Sequence, residues 1–318
     1  MRIGLDAMGG DFAPKATILG AILAQKQLSA EDRIVLFGDK DIIIEHLIIN
    51  GGLVDDFDIV DACEVIDMHD KPIKALQNKP NSSIALGFSY LKEGKIDTFS
   101  SAGNTGVMLV GTMYNVGVVE GIIRPCFAAL LPKQNGGLTV MVDVGVNPDA
   151  KPEQIYQFGV LGSFYAEYSL NLENPRVGLL NIGEEEEKGN VQSQAAMQLM
   201  KGSKDFNFIG NAEPSEIFKD NFDVIVCDGF VGNLIMKQTE AFARIMVKSG
   251  VNNDFINNCN YEIYGGLPLL GAKKVVIVAH GVSNERAIRS MLLQSKTMYE
   301  SNINDHIEKV LKKNLNNL

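Results

Sequence analysis

The 318-residue sequence contains no tryptophan, and aromatic residues make up only 7% of it. That leaves little for base stacking, the main device of single-strand nucleic-acid binders. Positive charge is scarce too: 29 Lys+Arg stand against 39 Asp+Glu, a formal net charge of −10. With no cluster of five or more basic residues, no field gathers that would attract nucleic acid. Long apolar runs are missing. The longest, 107–119, is interrupted by Gly111, Thr112, Asn115 and Gly117, whereas a bilayer span needs about 20 apolar residues. An N-terminus that reaches an acidic residue by Asp6 does not read as a secretion signal. These absences predict a cytosolic protein.

Familiar reactive motifs are absent as well. Cys63, Cys126, Cys227 and Cys259 lie far apart, with no CxxC pair and no histidine at metal-ligand spacing. They read as buried thiols in a reducing compartment. There is no G-x-G for a dinucleotide, and the sole Gly-Lys pair, Gly94-Lys95, does not continue as a phosphate-binding P-loop. No G-x-S-x-G elbow, H-E-x-x-H or Cys-His arrangement supplies a nucleophile or a zinc site. Disorder is excluded by 46% hydrophobic and 21% charged residues. Group transfer onto or from phosphate, without a covalent protein nucleophile, fits what is left.

What the sequence does hold is alternation. β-rich runs fall at 2–6, 33–37, 57–60, 98–100, 139–144, 177–182, 206–209, 224–227 and 275–279, and helical patterns at 15–27, 83–93, 106–118, 152–168, 191–201, 232–247 and 283–315. Continuous apolar strands such as VIVC and VVIVA suit burial on both faces. The rhythm predicts an α/β fold: one domain over 1–318, a mainly parallel sheet with helices on both faces, and a short helical excursion at about 240–264. Ligands in such folds bind beyond the carboxyl ends of the strands.

Six of those junctions are rich in glycine and polar residues: DAMGGD (6–11), SAGNTG (101–106), DVGVNPDAKP (143–152), GEEEEKGN (183–190), DGFVGN (228–233) and AHGVSN (279–284). Glycines let backbone approach a ligand, and the helix behind each turn offers unpaired N–H groups to an anion. In SAGNTG the side chains of Ser101, Asn104 and Thr105 add donors, although Asn104 or Thr105 could equally cap a helix. Lys188 is a lone cation beside Glu184–Glu187, which could hold it inward; a surface ion pair is the plainer reading. Asn233 reads as a donor or a helix cap. His280 reads as a base, a phosphate donor or a hydrogen-bonded structural residue.

In their order, DAMGGDFAP, HDKPIKALQNKPNSS, SAGNTG, DVGVNPDAKPEQ, RVGLLNIGEEEEKGN, VIVCDGFVGN, YGGLPLLG and AHGVSN resemble the phosphate acyltransferase family of bacterial phospholipid synthesis, from Arg2 to about Met298. The resemblance implies a fold akin to isocitrate dehydrogenases and phosphotransacetylases. It also implies a homodimer without metal or organic cofactor. The implied reaction moves a long-chain acyl group from acyl-ACP to inorganic phosphate and hands the acyl phosphate to a membrane glycerol-phosphate acyltransferase. A short-chain phosphotransacetylase using acyl-CoA is the alternative. On this reading Lys188 and Asn233 are catalytic. Ser101, Gly103, Asn104, Thr105 and Gly106 cradle phosphate, and Asp6, Gly9, Gly10, Arg124, Asp143, Asn147, Lys151, Asp228 and His280 line the cleft. Val146 and Gln154 stand where relatives commonly show Ala and His. The segment 240–264 is shorter than the relatives' apolar hairpin and ends in polar NNDFINNCN, which argues against membrane docking through it and leaves peripheral association open. An acidic carrier would need a basic patch, for which Lys71, Lys74 and Lys79, or Lys273 with Lys274, are the candidates.

Overall fold

The computed structural model describes residues 1–315. Where the alternation reads as one α/β domain, the chain falls into two compact units. The first takes Met1–Val118, Tyr261–Pro268 and Ala272–Glu300, and the second takes Val119–Asn260, Leu269–Gly271 and the chain from Ser301. A strand-helix rhythm looks the same whichever core its elements join, so the division is invisible in the pattern.

The first stretch runs β1 (Arg2–Asp6), α1 (Lys15–Gln25), β2 (Arg33–Gly38), α2 (Lys40–Ile49), β3 (Phe57–Asp61), α3 (Pro72–Asn78), α4 (Ser83–Lys92), β4 (Thr98–Ser101) and α5 (Thr105–Gly111). β1 pairs in parallel with β2 and β4, and β2 with β3. Ile34, Val35, Leu36 and Phe37 of β2 are all buried, as a strand covered on both faces requires. Helix α2 is absent from the expected helices because its five isoleucines favour strand. Asp39 decides the matter: its carboxylate accepts from the nitrogens of Asp41 and Ile42, both at 3.1 Å. Helix α5 runs on as a widened turn over Thr112–Val116. There Thr112 Oγ1 donates to the Met108 carbonyl (2.8 Å) and Asn115 Nδ2 to that of Gly111 (3.0 Å), which loosens the helical ladder.

The second unit holds β5 (Cys126–Pro132), β6 (Leu138–Val142), α6 (Pro152–Phe164), β7 (Arg176–Leu180), α7 (Val191–Met200), β8 (Asn207–Ala212), β9 (Val224–Val226), α8 (Gly229–Lys248) and α9 (Asp254–Asn258). β5 and β6 form an antiparallel hairpin, and β6, β9, β7 and β8 follow in parallel. A charged knot ties the end of β5 to the starts of β7 and β9. Lys133 Nζ donates to Asp220 Oδ1 (2.9 Å) and Asp223 Oδ1 (2.8 Å), and Arg176 Nε donates to Asp223 Oδ2 (2.8 Å). Burial alone would raise the Asp223 carboxyl. The hydrogen bonds from Arg176 and Lys133 outweigh it and hold that group well below the usual carboxylate range.

The chain then forms β10 (Leu267–Leu270), β11 (Val275–Val278), α10 (Glu285–Glu300) and α11 (Ile303–Leu315). Leu267 and Pro268 pair antiparallel with β11, and Leu269 and Leu270 antiparallel with β5. β11 joins β4 in parallel and completes the first unit's sheet. The two strands absent from the expected set are β5 and β10, and both run antiparallel. In YGGLPLLG the glycines and proline read as a turn, which hides β10. The single helix expected over 283–315 is two, broken at Asn302, whose φ of +50° is left-handed. Among the described residues no helix is long and apolar enough to cross a membrane.

Candidate functional site

In the first unit the ends of β1 and β4 bring two predicted turns together around Asp6, which is 1% exposed. Ser101 Oγ donates to Asp6 Oδ2 (2.6 Å), Met8 N donates to Oδ1 (3.1 Å), and Gly103 N donates in turn to Ser101 Oγ (2.9 Å). Ser83 and the Gly9 nitrogen complete the set of donors. Burial raises the Asp6 carboxyl above its ordinary value, and these hydrogen bonds oppose the rise. Gly9 and Gly10 have steric reasons to be glycine. A Cβ on Gly9 would collide with Asp6 Oδ2 and lie 2.8 Å from Ser101 Oγ, while Gly10 holds φ at +107° beside Ala102. Asp11 N donates to the Gly281 carbonyl (2.7 Å), so the turn after His280 joins the cluster.

Asn104 is a clamp. Its Nδ2 donates to the carbonyls of Asp67 (3.2 Å), Met68 (3.0 Å) and Asp70 (3.0 Å), while its Oδ1 caps α5 by accepting from Val107 N (3.1 Å). The side-chain donors of Ser101 and Asn104, expected to face phosphate, are therefore engaged within the protein. Thr105 is exposed, and Gly106 lies against Pro72, where a Cβ would approach to 2.8 Å of the ring. In the expected Lys71–Lys74–Lys79 patch, Lys79 is paired with Asp70 (2.7 Å) and Asp67 (3.7 Å), which leaves Lys71 and Lys74 exposed.

The second unit repeats the device at the ends of β6 and β9. Asp143 is fully buried and accepts from the nitrogens of Phe127 (2.9 Å), Val146 (3.2 Å) and Asn147 (2.6 Å) and from Asn147 Nδ2 (2.9 Å). Burial raises this carboxyl too. The other Nδ2 bond of Asn147 goes to the Pro125 carbonyl (2.9 Å), next to the exposed Arg124. The first turn of α8 lies hard against this turn. Gly232 leaves no room for a Cβ, which would overlap the Asp143 carbonyl oxygen. Asp228 caps α8 by accepting from Val231 N (2.8 Å). Asn233 stands beside Gly145, where a Cβ would lie 3.6 Å from the Asn233 amide carbon. Lys151 opens α6, and its backbone nitrogen donates to Gln154 Oε1 (2.7 Å), which gives the departure at 154 a capping role.

Lys188 lies in the loop between β7 and α7. It is exposed and makes no ion pair among the described residues; of the four glutamates expected to hold it, Glu186 pairs instead with Lys201 (2.7 Å). Amides fasten its loop: Asn181 Nδ2 donates to the Lys188 carbonyl (3.1 Å) and Asn211 Nδ2 to that of Glu185 (2.8 Å). Polar residues at the ends of buried strands are the sequence signal for both asparagines. Cys126 and Cys227 are buried, and burial pushes both thiols far above their ordinary pKa; they are no nucleophiles. Among the described residues no group of three or more His, Cys, Asp or Glu could hold a metal ion.

This is the fold of the phosphotransacetylases. The enzyme from Streptococcus pyogenes superposes with a TM-score of 0.69 at 15% identity, covering 94% of both chains. EutD phosphotransacetylase from Staphylococcus aureus gives 0.64 at 13% identity, again over 94% of each. The sequence narrows the class further: the chain matches the fatty acid synthesis protein family over residues 1–306 and belongs to it, among the phosphate acyltransferases. It is 40% identical to the phosphate acyltransferase of Brevibacillus brevis, covering 99% of this chain and 98% of that one. With the phosphate acyltransferase of Caldicellulosiruptor bescii the identity is 41%, over 95% and 96%.

Proposed function

We propose that the protein moves a long-chain acyl group from the thioester of an acyl carrier protein to inorganic phosphate. The products are an acyl phosphate and the free carrier thiol. The likeness to phosphate acyltransferases over nearly the whole chain carries this reading. The chemistry needs little from the protein. Phosphate is already an oxyanion near neutral pH; one of its oxygens attacks the thioester carbonyl, a tetrahedral oxyanion forms, and the thiolate leaves. The protein must position the reactants and meet the developing charge. Lys188, which makes no ion pair among the described residues, is assigned to the phosphate or oxyanion charge. Asn233 is assigned to donate to the carbonyl oxygen. Phosphate is assigned to the 101–106 turn through backbone and Thr105, since the other side-chain donors there are engaged. Asp6 and Asp143 shape the turns that line the cleft. A homodimer, and handover of acyl phosphate to a membrane acyltransferase, belong to the same proposal.

The test mixes the protein with palmitoyl-ACP and phosphate and follows carrier thiol release, with hydroxylamine trapping the acyl phosphate. Phosphate-dependent release is expected, and Lys188→Ala should lower it by about 10²–10³ while the circular dichroism stays unchanged. Near-normal turnover of that variant removes Lys188 from the mechanism. The fold likeness to phosphotransacetylases supports the alternative, short-chain transfer from acyl-CoA; turnover of acetyl-CoA and silence with palmitoyl-ACP would establish it.

A further inference from the structure

Loops that join a strand to the following helix are commonly about 2–6 residues long. The one between β7 and α7 runs from Asn181 to Asn190, and side-chain amides fasten most of it. Asn181 Nδ2 donates to the Lys188 carbonyl (3.1 Å), while its Oδ1 accepts from Ile182 N (2.9 Å). Asn211 Nδ2 donates to the Glu185 carbonyl (2.8 Å), which also accepts from Lys188 N (3.1 Å). Gln194, in the first turn of α7, donates to the carbonyls of Glu187 (2.7 Å) and Gly189 (3.2 Å). The carbonyls of 185, 187, 188 and 189 are thus all engaged by amides. A surface link could leave such carbonyls to water. Here Asn181 and Asn211 are buried beneath an exposed lysine.

Two glycines complete the mounting. Gly189 turns the chain at a φ of +97° hard against Asn181, where a Cβ would lie 2.5 Å from Oδ1. Gly183 faces the aliphatic stem of Lys188: a Cβ there would stand 3.0 Å from its Cγ and 3.5 Å from its Cδ. A lysine ammonium rides on a flexible four-carbon stem, so its aim depends on where the stem starts and what it lies against. We infer that Asn181 and Gly183 are positioning residues for Lys188. Asn181 anchors the backbone from which the side chain springs, and Gly183 leaves the space in which the stem lies. The inference rests on the assignment of Lys188 to the phosphate or oxyanion charge, and it adds how that cation is aimed. A carboxylate partner would compete with phosphate for the ammonium. A tether through the carbonyl leaves the charge unspent.

Asn181→Ala removes the tether and keeps the strand pairing, because Asn181 N donates to the Ala212 carbonyl (2.8 Å) through the backbone. Gly183→Ala crowds the stem, which yields more readily than the fold. Each variant should keep the wild-type circular dichroism and lose phosphate-dependent thiol release from palmitoyl-ACP by about 10–10²-fold, the scale of a misplacement near ~1 Å. The deciding readout repeats both substitutions in the Lys188→Ala background. Residues that act through Lys188 have nothing left to act on there, so each double variant should turn over at the rate of Lys188→Ala alone. Losses that multiply overturn the inference, since they show an action independent of Lys188. Wild-type rates in Asn181→Ala and Gly183→Ala beside a crippled Lys188→Ala overturn it as well, and leave the role of Lys188 standing. Near-normal turnover by Lys188→Ala refutes that role, and the inference falls with it. If Asn181→Ala loses its circular dichroism, the Gly183→Ala cycle decides.

Discussion

Replacing Asn104 tests how the first unit's turns are held. Asn104→Ala removes two separate contributions. The cap on α5, made by Oδ1 to Val107 N at 3.1 Å, is worth about 1 kcal/mol. The Nδ2 bonds to the carbonyls of Asp67, Met68 and Asp70 share two hydrogens among three acceptors, about 2 kcal/mol net at ~1 kcal/mol per hydrogen bond. The total is about 3 kcal/mol, or about 6–12 °C in melting temperature at ~2–4 °C per kcal/mol. Asn104→Asp separates the two: the cap acceptor survives while both donors are lost, so a cost of about 2 kcal/mol remains. The assay is urea unfolding followed by circular dichroism, with hydrogen exchange across 67–70 as the local readout. An Asn104→Asp variant as stable as wild type would show that the loop clamp contributes nothing. A cost of only about 1 kcal/mol for Asn104→Ala would say the same.

Two further perturbations act through charge, with opposite signs. Asp223 is held below its ordinary pKa by Arg176 and Lys133, so its contribution is present above the unfolded value and lost as pH falls through the folded one. Asp223→Asn should be less stable at neutral pH and lose less on acidification, read from urea midpoints at stepped pH; an acid slope equal to wild type would sink the assignment. Asp6 is raised by burial. Its stabilising effect is present below the ordinary carboxylate pKa and is lost as pH rises through the folded value. Asp6→Asn should flatten that decline in the same titration, and a slope unchanged from wild type would refute it.

The parallel strands were legible because buried runs such as VIVC and VVIVA carry their own signature, and the junctions after them followed. Asp6, Ser101 and Gly103 meet, as do Asp143 and Asn147, while Asn233 lies beside Gly145 of the same turn. What residue types could not reveal was the direction in which their polar atoms are used. Asn104, Asn147 and Asp228 look like ligand-binding residues in sequence, yet backbone partners already engage them. Lys188 erred the other way: four neighbouring carboxylates suggested a tethered cation, and the loop is tethered through its carbonyls instead. Strands β5 and β10 are buried apolar runs as well, CFAALLP and LPLL, and each carries a proline, which reads as a break in a strand.

The order in which the chain is written has a consequence for its synthesis. Ser100, on β4, hydrogen-bonds Ser295, on α10, across 195 positions (2.8 Å), and α1 packs so closely on α10 at Gly20 that a Cβ would come within 2.5 Å of Ile288. On the ribosome the first unit is therefore drafted early and closed only near the end of synthesis, when α10 emerges. From residue 118 to residue 300 is 182 residues, about 9–36 s of elongation at ~5–20 residues per second, during which β4 lacks its neighbour β11 and α1 its cover. A nascent chain stalled in that interval exposes a bare sheet edge and an apolar helix face, the surfaces that chaperones hold and aggregates recruit.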